Sequence, residues 1–170
     1  SDPSVLLNSA DEALVKKEYA KAEEMLSEVI SKTKDDPEHK LTCFSASSKL
    51  AGYYSLMGEF EKADHFFSQS QALLDTDGGS IASVLCANFY YDLGFFYDQQ
   101  GKNQEALKFY CLAKEHYSKH DCAASDEKYM TFLQCYAKCS DTCGELDLAS
   151  NIYSEVLPLL EQTLGVDHFK

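Results

Sequence analysis

Apolar and small residues recur three and four positions apart through almost the whole chain, and no convincing run alternates with a period of two. That pattern predicts helices throughout. The stretch from Leu93 to Tyr110, LGFFYDQQGKNQEALKFY, shows the building unit. Two half-segments of helix meet at a polar break around Gly101. Leu93, Gly94 and Tyr97 share the first, and Ala106, Tyr110 and Ala113 share the second. A small residue beside a large one lets a neighbouring helix come close, and the aromatic one turn later fills the gap beside it.

The unit recurs. Ala22, Ala63, Ala106 and Ala149 hold one phase, with spacings of 41, 43 and 43 residues. Tyr19, Phe60 and Leu146 lie three residues before their alanines, where the third copy has Asn103. Gly58, Gly101 and Gly144 lie five before, and Leu26, Phe67, Tyr110 and Tyr153 lie four after. In the preceding helices LAGYY (Leu50 to Tyr54) matches LGFFY (Leu93 to Tyr97), with Ala10 and Ala137 as the small residue of the outer copies. Repeats of this length are the signature of a stacked solenoid. The glycines suit tight helix–helix turns.

These residues resemble tetratricopeptide repeats, whose pattern has a large, a small and an aromatic residue in the first helix, then Gly, an aromatic, Ala, an aromatic and a small residue. The third copy matches nearly everywhere (Tyr90, Leu93, Gly94, Tyr97, Gly101, Ala106, Tyr110, Ala113). The second matches well (Leu50, Ala51, Tyr54, Gly58, Phe60, Ala63, Phe67), and the outer two are degenerate. The resemblance implies an all-α, right-handed α-solenoid of about four helix–turn–helix hairpins. It spans a single domain, 1–170, with repeats at about 3–37, 38–78, 79–122 and 123–168. The period exceeds the usual ~34 residues, which implies longer helices. The end, LLEQTLGVDHFK, is similar to the loop between the long repeats of kinesin light chains through Leu164, Gly165, Asp167 and His168, with Phe169 replacing a proline. Where those light chains carry groove-side asparagines, this chain has Lys49, Asp92 and Cys135, so the resemblance implies the long-repeat architecture and does not carry over their cargo specificity. Ser1 in place of Met, and DHFK where a further helix would begin, point to a fragment of a longer chain; the alternative is that the last repeat terminates here, with Leu159, Leu160 and Leu164 covering the end of the core.

Charge narrows the partners. The 15 basic and 28 acidic residues give a net charge of −13. Phosphate contacts need a basic face, so nucleic acid is not an expected partner. Anionic membranes are disfavoured too, and basic protein partners are favoured. No apolar run approaches the ~20 residues of a membrane span. Seven cysteines, an odd number without a secretory leader, fit a reducing cytoplasmic or nuclear setting.

Candidate chemistry is sparse. There is no phosphate-binding glycine loop, no nucleophile elbow and no HExxH, so no catalytic residue, metal or cofactor is expected. Cys135, Cys139 and Cys143 share one helix face, where three thiolates could hold a soft metal. Cysteine as a small buried apolar residue explains them better. His116, His120 and Cys122 form a second cluster, read instead with Lys114 and Lys119 as a basic turn complementing a helix C-terminus.

Binding is the expected activity. In this family the first helices line a concave groove. Asn88, Tyr91, Asp92, Phe95, Asp98 and Gln99 project there from the third repeat. Ser48, Lys49, Gly52 and Ser55 do so in the second, and Thr131, Gln134, Lys138 and Asp141 in the fourth. Lys49, Asn88, Tyr91, Asp92, Phe95, Gln99, Gln134 and Lys138 are the candidate partner-binding residues. An aromatic and acidic strip with amides suits a peptide carrying basic residues. The Lys/Asn/Arg clamp for chaperone C-termini is absent, since the chain has no arginine. The expected function is a non-enzymatic adaptor or scaffold. The alternatives are a segment of a larger assembly that docks whole domains through its convex face or edges, and self-association through the terminal repeats.

Overall fold

One turn closes every hairpin. In each, the second residue past the helix cap donates its N–H five residues back, as Glu18 to Ala13 O at 2.8 Å, Glu59 to Tyr54 O at 2.9 Å, Lys102 to Tyr97 O at 3.0 Å and Glu145 to Ser140 O at 2.8 Å. The residue before it bonds three back, to Leu14, Ser55, Asp98 and Asp141. This is a Schellman closure, which requires a left-handed residue at its centre. Gly58, Gly101 and Gly144 supply it with φ of 76°, 75° and 80°. The first hairpin uses Lys17, at φ 61°.

The computed structural model describes residues 2–77, 79–120 and 126–164. Among the described residues the chain is all-helical: α1 (Pro3–Val15), α2 (Tyr19–Thr33), a 3-10 turn (Pro37–His39), α3 (Lys40–Leu56), α4 (Phe60–Asp75), α5 (Ser83–Gln99), α6 (Asn103–Tyr117), α7 (Glu127–Thr142) and α8 (Leu146–Leu164). Asp2 and Asp126 cap α1 and α7, accepting from Ser4 N at 2.8 Å and Tyr129 N at 3.1 Å. No helix among the described residues is long and apolar enough to cross a membrane.

The helices form two compact units, Ser1–Ala82 and Ser83–Lys170. In the first, α3 packs on α1, α2 and α4; in the second, α7 packs on α5, α6 and α8. The phase-setting alanines Ala22, Ala63, Ala106 and Ala149 are all buried, as are Ala10, Ala51, Gly94 and Ala137 on the first helices. Leu26, Phe67 and Tyr110 are buried as well. Their counterpart Tyr153 departs from the pattern and is 44% exposed, because no described helix covers that side of α8. The core of the second unit is aromatic. Phe132 lies 5.4 Å from Tyr91, 6.0 Å from Tyr110, 5.0 Å from Tyr117 and 5.6 Å from Tyr136, ring centre to ring centre.

Candidate functional site

The candidate site is the neighbouring faces of α5 and α7, the first helices of the two hairpins of the second unit. Helical spacing puts Asp92, Phe95 and Gln99 in one row on α5, and Thr131, Gln134 and Lys138 in another on α7. Gln99, Thr131, Gln134 and Lys138 are exposed, while Asp92 and Phe95 are half-buried. Phe95 rests against the aromatic core. Lys128 Nζ stands 3.5 Å from Asp92 Oδ1 and 5.7 Å above the Tyr91 ring, tying α7 to α5. The sequence reading missed Lys128. Its contact joins different heights of two repeats, which a repeat period does not express.

Two expected contact residues have other roles. Tyr91 is 9% exposed and packs against Phe132 and Tyr110. Its ring is part of the core rather than of the open face, and its hydroxyl lies 3.9 Å from Cys135 Sγ. Burial pushes both the Tyr91 hydroxyl and the Cys135 thiol up, so each stays protonated. Asn88 is half-buried and accepts the Tyr117 hydroxyl at 2.6 Å, fastening α5 to α6. Asp98 likewise accepts from Tyr110 at 3.1 Å.

Lys49 sits in the first unit, paired with Asp11 of α1 at 3.0 Å. Its neighbours Ser48 and Ser55 are buried, and Ser48 donates to Ser70 of α4 at 3.1 Å instead of facing a groove. The second helices α2 and α4 of this unit flank an open depression of about 590 Å³, lined by Ile30, Lys34, His65 and Phe66 among others.

Cys139 and His116 are taken up in packing, while Cys111 and His120 are exposed. Cys139 is buried, donates to Asn103 O at 3.4 Å, and has its thiol pushed up to about 12 by burial. Cys111 lies 3.3 Å from the Tyr136 hydroxyl. Among the described residues no three His, Cys, Asp or Glu side chains gather as a metal set. His116 stacks on Tyr90 at 5.6 Å, and Cys122 lies outside the described residues. Lys114, expected to complement the end of α6, instead crosses to α7 and α8. It donates to Tyr129 Oη at 3.0 Å and Glu155 Oε1 at 3.2 Å, and Tyr129 donates to the same oxygen at 2.6 Å.

No family model and no curated protein matches the chain. Solved structures do. The nearly identical TPR-like repeats of a Podosopora anserina protein assigned as a kinesin light chain align over 95% of this chain and 76% of that one, with 16% identity and a TM-score of 0.61. A variant form of the same protein aligns with a TM-score of 0.64. BtubC (BKLC) from P. vanneervenii aligns over 97% of this chain and 59% of its own length, with 20% identity and a TM-score of 0.63. Identities this low speak to architecture alone, and the architecture they share with this chain is the tetratricopeptide-like repeat fold.

Proposed function

We propose that this chain is a non-enzymatic interaction module that holds a peptide segment of a protein partner against the α5–α7 face. The observation that supports it is the pairing of anchored and solvent-exposed groups there. Asp92, Phe95 and the helices beneath them are held by Lys128, Tyr91 and the aromatic core. Exposed Gln99, Gln134 and Lys138 rise beside them. A rigid face of this kind leaves most of the ordering cost with the incoming peptide. Amides bond an extended backbone, Phe95 offers an apolar contact, and the acidic balance of the chain favours basic residues in the partner. The odd number of cysteines suits a cytoplasmic or nuclear setting.

Peptides selected from a random display library on the purified chain test the reading. Phe95→Ala and Gln134→Glu are expected to change the affinity of the selected peptides at least about tenfold, one hot-spot contact's worth. Enriched peptides that bind both variants as well as the parent would overturn it. Tyr91→Ala is a poor control, since it removes a core ring.

A further inference from the structure

The second and third hairpins differ by one ring. The 43-residue step from Ala63 to Ala106 pairs Tyr54 with Tyr97, Phe66 with Phe109 and Ser47 with Tyr90. In the third hairpin Phe109 has two stacked neighbours. Tyr97 is 5.3 Å from it with 10° between the planes, and Tyr90 is 6.3 Å from it with 11°. The second hairpin keeps half of this arrangement. Tyr54 stacks on Phe66 at 5.8 Å and 21°. The residue in the place of Tyr90 is Ser47, which is wholly buried and too short to bring a second ring. Its hydroxyl has no hydrogen-bond partner. Phe66 is half-buried and borders the open depression of about 590 Å³ between α2 and α4. That volume is in the range of small-ligand sites. Both walls of the depression are present in the first unit, so its opening is not set by where the chain begins or ends.

The lining sets donors beside this ring. Ser27, Ser31 and Lys34 form one row on α2, at steps of four and three, and Ile30 adds an apolar wall. His65 meets Phe66 edge-on at 4.9 Å. Lys34 is exposed, and among the described residues no carboxylate pairs with it. Glu28 and Asp36, close by in the chain, are engaged by Lys32 and His39, each at 2.7 Å. The ionisable side chains of the lining are Lys34 and His65, neither of them acidic, in a chain whose net charge is −13. An ammonium, an imidazole N–H and hydroxyls all donate to an anion, and the ammonium does so with charge.

We infer that the depression is a binding site for a small aromatic anion, a planar ring system bearing a carboxylate or a phosphate. The ring stacks on Phe66 as Tyr90 does on Phe109. The acid group meets Lys34, with Ser31 and His65 donating beside it. The site belongs to the first unit and is separate from the α5–α7 face.

Naphthoate and naphthyl phosphate are the probes, titrated into the whole chain while its backbone amide shifts are followed. Either probe is expected to give saturable shifts at Ile30, Lys34, His65 and Phe66. The expected Kd is about 1 mM or below, as for a ligand of roughly a dozen heavy atoms. Naphthylmethylammonium has the ring with the opposite charge, and cyclohexanecarboxylate has the acid without an aromatic ring. Each is expected to bind at least about fivefold more weakly. Lys34→Glu is expected to weaken naphthoate about five- to tenfold, with a smaller effect at high salt. Phe66→Leu is expected to weaken it about two- to tenfold through the lost stack. Lys108→Glu, the same charge change at an exposed lysine of the second unit, is expected to change nothing. Circular dichroism checks that each variant is folded. No saturable shift up to several millimolar, equal binding of the cation or the saturated acid, or unchanged binding to Lys34→Glu overturns the proposal. Saturation of the same residues by a display-selected acidic peptide, with neither free probe binding, also overturns it, by making the depression a peptide surface.

Discussion

A Cβ placed on Gly94 would stand 2.6 Å from Cδ1 and 2.7 Å from Cε1 of Tyr110. The two helices of the third hairpin are therefore as close as a missing side chain allows. Glycine within a helix ordinarily costs up to about 1 kcal/mol relative to alanine. Here overpacking reverses the sign. Gly94→Ala is expected to destabilise the chain by about 1–3 kcal/mol in urea unfolding. Tyr110→Leu costs stability on its own, but it is expected to make Gly94→Ala less harmful, so that the pair is non-additive. A stabilising Gly94→Ala would show that the helices are not in this contact.

Lys17 stands where the other three turns have glycine, at a φ of 61°. A side chain in the left-handed region costs roughly 1–2 kcal/mol, part of which glycine returns through the entropy of the unfolded chain. Lys17→Gly is expected to stabilise the chain by about 0.5–1 kcal/mol, read as a rise in the denaturation midpoint. Gly101→Lys at the matching position is expected to do the opposite.

The thiols divide by exposure. Cys43, Cys86 and Cys139 are buried, and Cys111 is exposed. Burial holds the Cys139 thiol at about 12, so almost none is thiolate near neutral pH. Alkylation of the folded chain followed by mass spectrometry is expected to mark Cys111 first among the described cysteines. Cys139 is expected to react only after denaturant is added. Early labelling of Cys139 would mean that α7 opens readily.

His116 gives a pH dependence. Burial, and then the nearby Lys119, holds its pKa below the ordinary value, with Glu115 opposing. Its Nδ1 is buried without a hydrogen-bond partner. The unfolded chain takes up this proton near pH 6.5 and the folded chain only at lower pH, so stability falls as pH drops through about 6.5. His116→Phe keeps a ring against Tyr90 and removes the titration. Between about pH 7.5 and 5.5 the variant is expected to lose less stability than the parent. Parallel losses would assign the acid sensitivity to other groups.

The hairpins were readable because one constraint repeats. A small residue at Ala10, Ala51, Gly94 and Ala137 and an alanine at Ala22, Ala63, Ala106 and Ala149 are needed wherever two helices meet closely, and all are buried. The candidate site was less readable. The phase that places Asp92 and Phe95 on one face does not say that Tyr91 turns inward beneath Lys128. Nor does it say that the Lys114 chain reaches Glu155 of α8. Long flexible side chains choose partners across repeats, and periodicity carries no record of that. Tyr153 fits the pattern and still lies exposed, because no described helix covers that side of α8.

The most direct test of peptide binding on the α5–α7 face is a backbone amide chemical-shift map of the chain, recorded with and without a display-selected peptide. The account predicts the largest shifts at Asp92, Phe95 and Gln99 of α5 and at Gln134 and Lys138 of α7. Shifts confined to α2 and α4 around Ile30, His65 and Phe66 would contradict it and place the partner on the second helices of the first unit.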